Sequence, residues 1–90
     1  MEEKLRFRPC GDSSILHVYS HQVWTIAINQ QGEAWAFIPQ VPGAARRVFA
    51  ETVYGELKEI LPIDDAIAIF GRNNVALLTI EDFTSNLKSN

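Results

Sequence analysis

Cys10, His17 and His21 are the soft metal ligands of this 90-residue chain. A zinc site needs four thiolate, imidazole or carboxylate ligands in tetrahedral geometry, so Asp12 or another acid would have to complete the set. The spacing Cys-x6-His-x3-His fits no paired-ligand motif. On a strand His17 and His21 share a face but stand roughly 13 Å apart at ~3.3 Å per residue, too far to hold one ion without a bend. No metal site and no cofactor are expected. Cys10 would be a nucleophile only if a base or a helix N-terminus lowered its pKa. Gly11 and Asp12 beside it read as a turn rather than a helix start, though His17 could approach it in space.

The adjacent acids fare no better as an acid–base pair. Asp64 and Asp65 would point to opposite faces of a strand, where they cannot cooperate. Glu81 and Asp82 read as first-turn acids that complement a helix dipole. No catalytic constellation is visible, and the expectation is a non-enzyme. The strongest small-ligand candidate is Pro42-Gly43-Ala44-Ala45-Arg46-Arg47. If a helix begins there, its unpaired N–H groups together with Arg46 and Arg47 would attract an anion. Arginines in a first turn oppose the dipole, a local mismatch that sometimes accompanies function. Neither phosphate-loop pattern, G-x-x-x-x-G-K-[ST] or G-x-G-x-x-G, occurs.

Composition narrows the partners. Eight Lys+Arg against eleven Asp+Glu give a formal net charge of −3, and the basic residues are scattered. A nucleic-acid surface needs a basic stripe to displace phosphate counterions, so nucleic acid is excluded as an expected partner. No apolar run approaches the ~20 residues that span a bilayer, so no membrane partner is expected. The charged start Met1-Glu2-Glu3-Lys4 predicts no signal peptide. One cysteine precludes an intrachain disulfide and suggests a reducing, cytoplasmic location. With 47% hydrophobic residues the chain is too apolar for disorder and long enough for a single core, so residues 1–90 are read as one small domain.

The elements follow from periodicity. Lys4–Arg8 alternates polar and apolar residues as a strand, which Pro9 ends, and Cys10–Ser13 turns. Ser14–Tyr19 is a second strand, with Leu16 and Val18 on one face and Ile15, His17 and Tyr19 on the other. Gln22–Ile38 reads as a hairpin around Asn29-Gln30-Gln31-Gly32. A two-residue turn at Gln30-Gln31 would set Ile26 opposite Trp35 and Trp24 opposite Phe37, one large apolar patch. Pro39 and Pro42 then break the chain. Ala45, Phe49, Val53, Leu57 and Ile60 recur at three- and four-residue spacing, so Ala44–Leu61 is predicted as the main helix, ended by Pro62 and weakened by Gly55. Ile63–Phe70 and Val75–Ile80 form a second hairpin around Gly71–Asn74. Glu81–Leu87 is a short final helix, and the last residues fray.

The predicted fold is α+β in the order β-β-β-β-α-β-β: an antiparallel sheet of about five to six strands with one long helix across one face and an optional short C-terminal helix. The second hairpin carries more apolar surface than one helix can cover. Ile67, Ile69, Ala76, Leu78 and Ile80 fall on one face, and Ala66, Ala68, Phe70, Val75 and Leu77 on the other. With the second set beneath the helix, the first is the expected interface, the alternative being that the N-terminal strands curl over and cover it as a half-barrel. The function predicted is a non-enzymatic protein-interaction or regulatory module of the adaptor, chaperone or inhibitor kind. Its partner would be another protein, a second copy in a homodimer, or both. The alternative is an anion or small-ligand sensor whose site lies at the helix N-terminus, near Arg46, Arg47, Trp24 and Trp35.

Overall fold

The structure, a computed structural model, describes residues 14–41, 43 and 45–88. The strand expected at Lys4–Arg8, Cys10 and the turn beside it lie outside the described residues. In chain order the elements are β1 (Ile15–His21), β2 (Trp24–Asn29), β3 (Ala34–Phe37), β4 (Arg46–Val48), β5 (Leu57–Ile63), β6 (Ala66–Gly71), β7 (Val75–Thr79) and α1 (Ile80–Lys88). They form an α+β fold with two antiparallel sheets. Sheet A has the order β1-β2-β3-β4 and sheet B the order β5-β6-β7.

The single sheet under a long helix is corrected on both counts. Residues 45–61 do not form a helix: they supply β4, a turn and the first part of β5. Val48, Thr52 and Val53 are β-branched, which costs side-chain freedom in a helix and suits extended backbone. Phe49 at φ 53° and Gly55 at φ 66° both sit in the left-handed region, which a helix cannot contain. Val53, which the helical spacing placed in the core, is 68% exposed. Pro62 does not end a helix but lies in β5, an edge strand that tolerates a residue without an N–H.

The first hairpin exists with its register moved by one residue. Its loop is three residues, Gln30–Gly32, closed by Asn29 N–H donating to the Glu33 carbonyl at 3.0 Å. Gly32 adopts φ 82°, the left-handed residue that such a loop requires. A side chain there would also run into the start of β5, its Cβ 2.9 Å from the Leu57 nitrogen. Asn29, fully buried, organises the loop: its Oδ1 accepts from the Gln31 and Glu33 N–H groups at 3.0 and 2.9 Å, and its Nδ2 donates to Glu33 Oε1 at 2.8 Å. Trp35 therefore pairs with Ala27, and Ile26 with Ala36. A one-residue slip exchanges faces, so Trp24 and Ile26 point inward while Trp35 and Phe37 point outward.

The core lies between the sheets. Ile26, Ile28, Ala34, Ala36 and Val48 of sheet A meet Leu57, Ile60, Ile67 and Ile69 of sheet B, and Phe83 and Leu87 of α1 close the layer. Phe83 stacks on Phe49 at 5.1 Å and meets Tyr19 and His21 edge-on at 6.0 and 4.9 Å. Thr79 Oγ1 accepts from the Asp82 N–H at 3.0 Å and caps α1, with Glu81 and Asp82 in the first turn as the sequence predicts. The sheets are joined along one seam, where His17 Nε2 donates to the Ile60 carbonyl at 3.0 Å and ties β1 to β5. A second link runs from Leu57 N–H to the Gly32 carbonyl at 3.0 Å.

Candidate functional site

Sheet B has one face on the core and one on solvent, and both are apolar. The register pairs Ile67 with Leu78 and Ile69 with Ala76 on one face, and Ala68 with Leu77 and Phe70 with Val75 on the other. The sequence grouping of these residues is the observed one. The outward direction is the reverse of the expected one: Ile67 and Ile69 are 2% and 1% exposed, and Ala76 and Leu78 pack against the core. Ile80 opens α1 at 41% exposure. The burden of covering this face falls on sheet A and α1, because the long helix that was to cover the other is absent. The residues available to a partner are thus Leu61 and Ile63 of β5, Phe70 of β6, and Val75 and Leu77 of β7.

This outer face is built as a shallow apolar platform. Leu61, Ile63, Val75 and Leu77 are 42%, 42%, 56% and 64% exposed, and none is charged. Ala68 lies between Leu61 and Leu77 in the register and is fully buried, so the exposed apolar surface stands on the two flanking strands. The two-residue connection Asp64-Asp65, with Asp64 at φ 55°, puts carboxylates at one end, and Glu59 lies opposite Phe70 at the other. The acids expected to share a strand are instead a hairpin turn, where short polar side chains tolerate left-handed backbone.

Arg46 and Arg47 do not act together. Adjacent residues of a strand point to opposite faces, and β4 separates them in this way. Arg46 pairs with Ala36 on the inner side, its guanidinium 6.0 Å from the Trp24 ring centroid. Arg47 pairs with Trp35 on the outer side, 5.9 Å from that ring and 3.8 Å from Glu33. The Trp35 indole N–H is buried without a hydrogen-bond acceptor. Pro42 and Ala44 lie outside the described residues; with no helix at residues 45–61, the anion site at its N-terminus has no basis. What replaces it is an open cavity of about 400 Å³ walled by Trp24, Ala36, Phe37, Ile38 and Val41, with Arg46 and Lys88 as its cations.

The histidines are structural. His17 spends its Nε2 proton on the seam between the sheets. The Thr84 hydroxyl donates to the Ile80 carbonyl at 2.8 Å, so its oxygen accepts the Nε2–H of His21 at 2.9 Å. Burial among Tyr19 and Phe83 pushes the His21 pKa below its ordinary value. Burial likewise raises the Tyr19 and Tyr54 phenols, with Glu51 and then Asp82 adding to the effect on Tyr54. Among the described residues no three His, Cys, Asp or Glu side chains cluster as metal ligands, and no helix is long and apolar enough to cross a membrane.

Compared with known proteins, the chain matches no family model, no curated protein and no solved structure.

Proposed function

We propose that this chain is a non-enzymatic protein-interaction or regulatory module that works through the outer face of sheet B. The observation that carries the reading is the uncharged platform of Leu61, Ile63, Val75 and Leu77 around the buried Ala68. Contiguous apolar surface of this kind is costly to leave in water and marks contact sites. An interface core of aliphatic residues inside a polar rim is the usual anatomy, and Glu59, Asp64 and Asp65 supply an acidic rim. With the chain's net charge of −3, that rim favours, in any partner other than a second copy, a contact patch apolar at its centre and basic at its edge. The test is capture from a lysate of the source organism by immobilised wild-type chain and by Leu77→Asp. A stoichiometric protein retained by the wild type and lost with a folded Leu77→Asp supports the module; equal retention by both sinks this surface.

A second reading has its own observation. The cavity at Trp24 combines an aromatic wall with Arg46 and Lys88, a setting for a small apolar anion. Trp24 reports on it directly. Saturable quenching of tryptophan fluorescence by an aromatic carboxylate, abolished in Trp24→Phe, would favour the sensor; an unchanged spectrum would leave the interaction surface alone.

A further inference from the structure

The four sheet edges are not alike, and the difference points to one occupant. An open edge presents unpaired N–H and C=O groups, which proteins guard with charge, proline, bulges, brevity or a cover. β4 is three residues long and two of them are Arg46 and Arg47. β1 and β5 lie against each other at the seam held by His17, and β5 also carries Pro62 and an irregularity between Leu57 and Glu59. β7 has none of these devices. Its sequence Val-Ala-Leu-Leu-Thr holds no charge and no proline, its register on β6 is unbroken, and no strand pairs with its other side among the described residues.

The hydrogen-bond phase of β7 says which groups lie open. Gly71 N–H donates to the Asn74 carbonyl at 2.8 Å, so Gly71 and Asn74 are a hydrogen-bonded pair. Antiparallel pairs alternate, which makes Ile69–Ala76 and Ile67–Leu78 hydrogen-bonded and leaves Val75, Leu77 and Thr79 directed away from β6. Those same three residues have side chains on the outer, apolar face. Leu77 is the middle residue of β7, so a two-fold axis beside it would match the strand to a copy of itself.

We infer that β7 pairs antiparallel with β7 of a second copy of this chain, Leu77 opposite Leu77 and Val75 opposite Thr79. This rests on the reading of sheet B as an interaction surface and names its partner. The outward N–H and C=O of Leu77 then find their complement, and each Thr79 N–H meets a Val75 carbonyl, while the Thr79 carbonyl stays with the first turn of α1. Because β7 is uncharged, self-pairing opposes no like charges. The two outer platforms join into one apolar band running from Leu61 through Ala68 and Leu77 across the axis. The assembly stops at two, because the far edges are the β5 strands, blocked by Pro62 and by β1.

Sedimentation equilibrium over a wide concentration range tests this with three chains: wild type, Leu77→Lys on the axis, and Leu61→Lys on the far strand of the same face. The expected results are twice the 10.1 kDa chain mass for wild type and for Leu61→Lys, and the single-chain mass for Leu77→Lys with unchanged circular dichroism. Val75→Lys, at another exposed edge position, replaces Leu77→Lys if that variant loses its strand signal. Amide exchange adds a direct readout: the Leu77 N–H should gain at least about tenfold protection from dilute to concentrated sample. A wild type monomeric throughout, with an unprotected Leu77 amide, overturns the self-pairing and leaves capture of a different protein by the platform standing. Dissociation of Leu61→Lys as complete as that of Leu77→Lys also overturns it, because the copies would then meet face to face rather than edge to edge.

Discussion

His21 shows how one side chain records the state of its surroundings. It is 8% exposed, stacked near Tyr19, edge-on to Phe83 and bonded through Nε2 to a hydroxyl whose own proton is committed to the Ile80 carbonyl. Burial disfavours the imidazolium and depresses its pKa. The sign of the stability effect follows. A folded-state pKa below the unfolded value means the unfolded chain binds the proton more readily, so stability is full above the unfolded value of about 6.5 and falls as pH drops through the window beneath it. The urea midpoint of the wild type should therefore fall between pH 7 and pH 5 by more than that of His21→Phe, which keeps the aromatic contacts and cannot titrate. Parallel curves for the two chains would assign the acid sensitivity to other groups.

At the scale of elements, what sets a side chain's fate is which face its strand turns inward, and β7 allows that to be measured. Leu77 and Leu78 are neighbours in sequence; one stands 64% exposed on the platform and the other packs on the core. Leu78→Asp buries an unpaired carboxylate and should cost about 3 kcal/mol or more in urea unfolding, whereas Leu77→Asp should stay within about 1 kcal/mol of wild type. Similar losses in both would mean that the two faces are equally buried. The alternation behind this contrast was legible from residues alone: Ile67 and Leu78 fall together, as do Ala68 and Leu77. The turn at Gly71–Asn74 and the C-terminal helix were legible too, from their turn residues and first-turn acids. Two other features were not. The three- and four-residue recurrence from Ala45 to Ile60 imitates a helical stripe, although only Phe49, Leu57 and Ile60 of it reach the core, from a left-handed turn and a second strand, while Val53 stays exposed. The hairpin loop at Gln30–Gly32 contains one more residue than assumed, and periodicity of two converts that single error into exchanged faces for Trp35 and Phe37. Both errors have one origin: turn geometry is decided by φ at single residues, which apolar spacing does not report. They also displaced the candidate site, since Arg46 and Arg47 were grouped by a helix that does not form.

For the whole molecule, the question is whether two sheets make one folding unit. Among the described residues the core cluster of each sheet is buried against the other sheet and α1, so each depends on the other. The buried cluster draws Ile26 and Ile28 from sheet A, Ile60, Ile67 and Ile69 from sheet B, and Phe83 and Leu87 from α1. A nine-residue helix is too short to persist in water by its own hydrogen bonds, so α1 holds only while that shared core does. The seam from His17 to Ile60 and the Leu57–Gly32 link add backbone bonds that break only when the sheets part. These dependences predict one cooperative transition rather than two. Native-state amide exchange should give the Ile26 and Ile69 amides, at the centres of the two sheets, the same opening free energy, within the ~4–13 kcal/mol usual for a chain of this length. A gap above about 1 kcal/mol between them would mean that one sheet opens while the other stands. In that case the platform on sheet B would belong to the less constrained layer if the Ile69 amide exchanges first, and its partner would bind a surface that it must also help to fold.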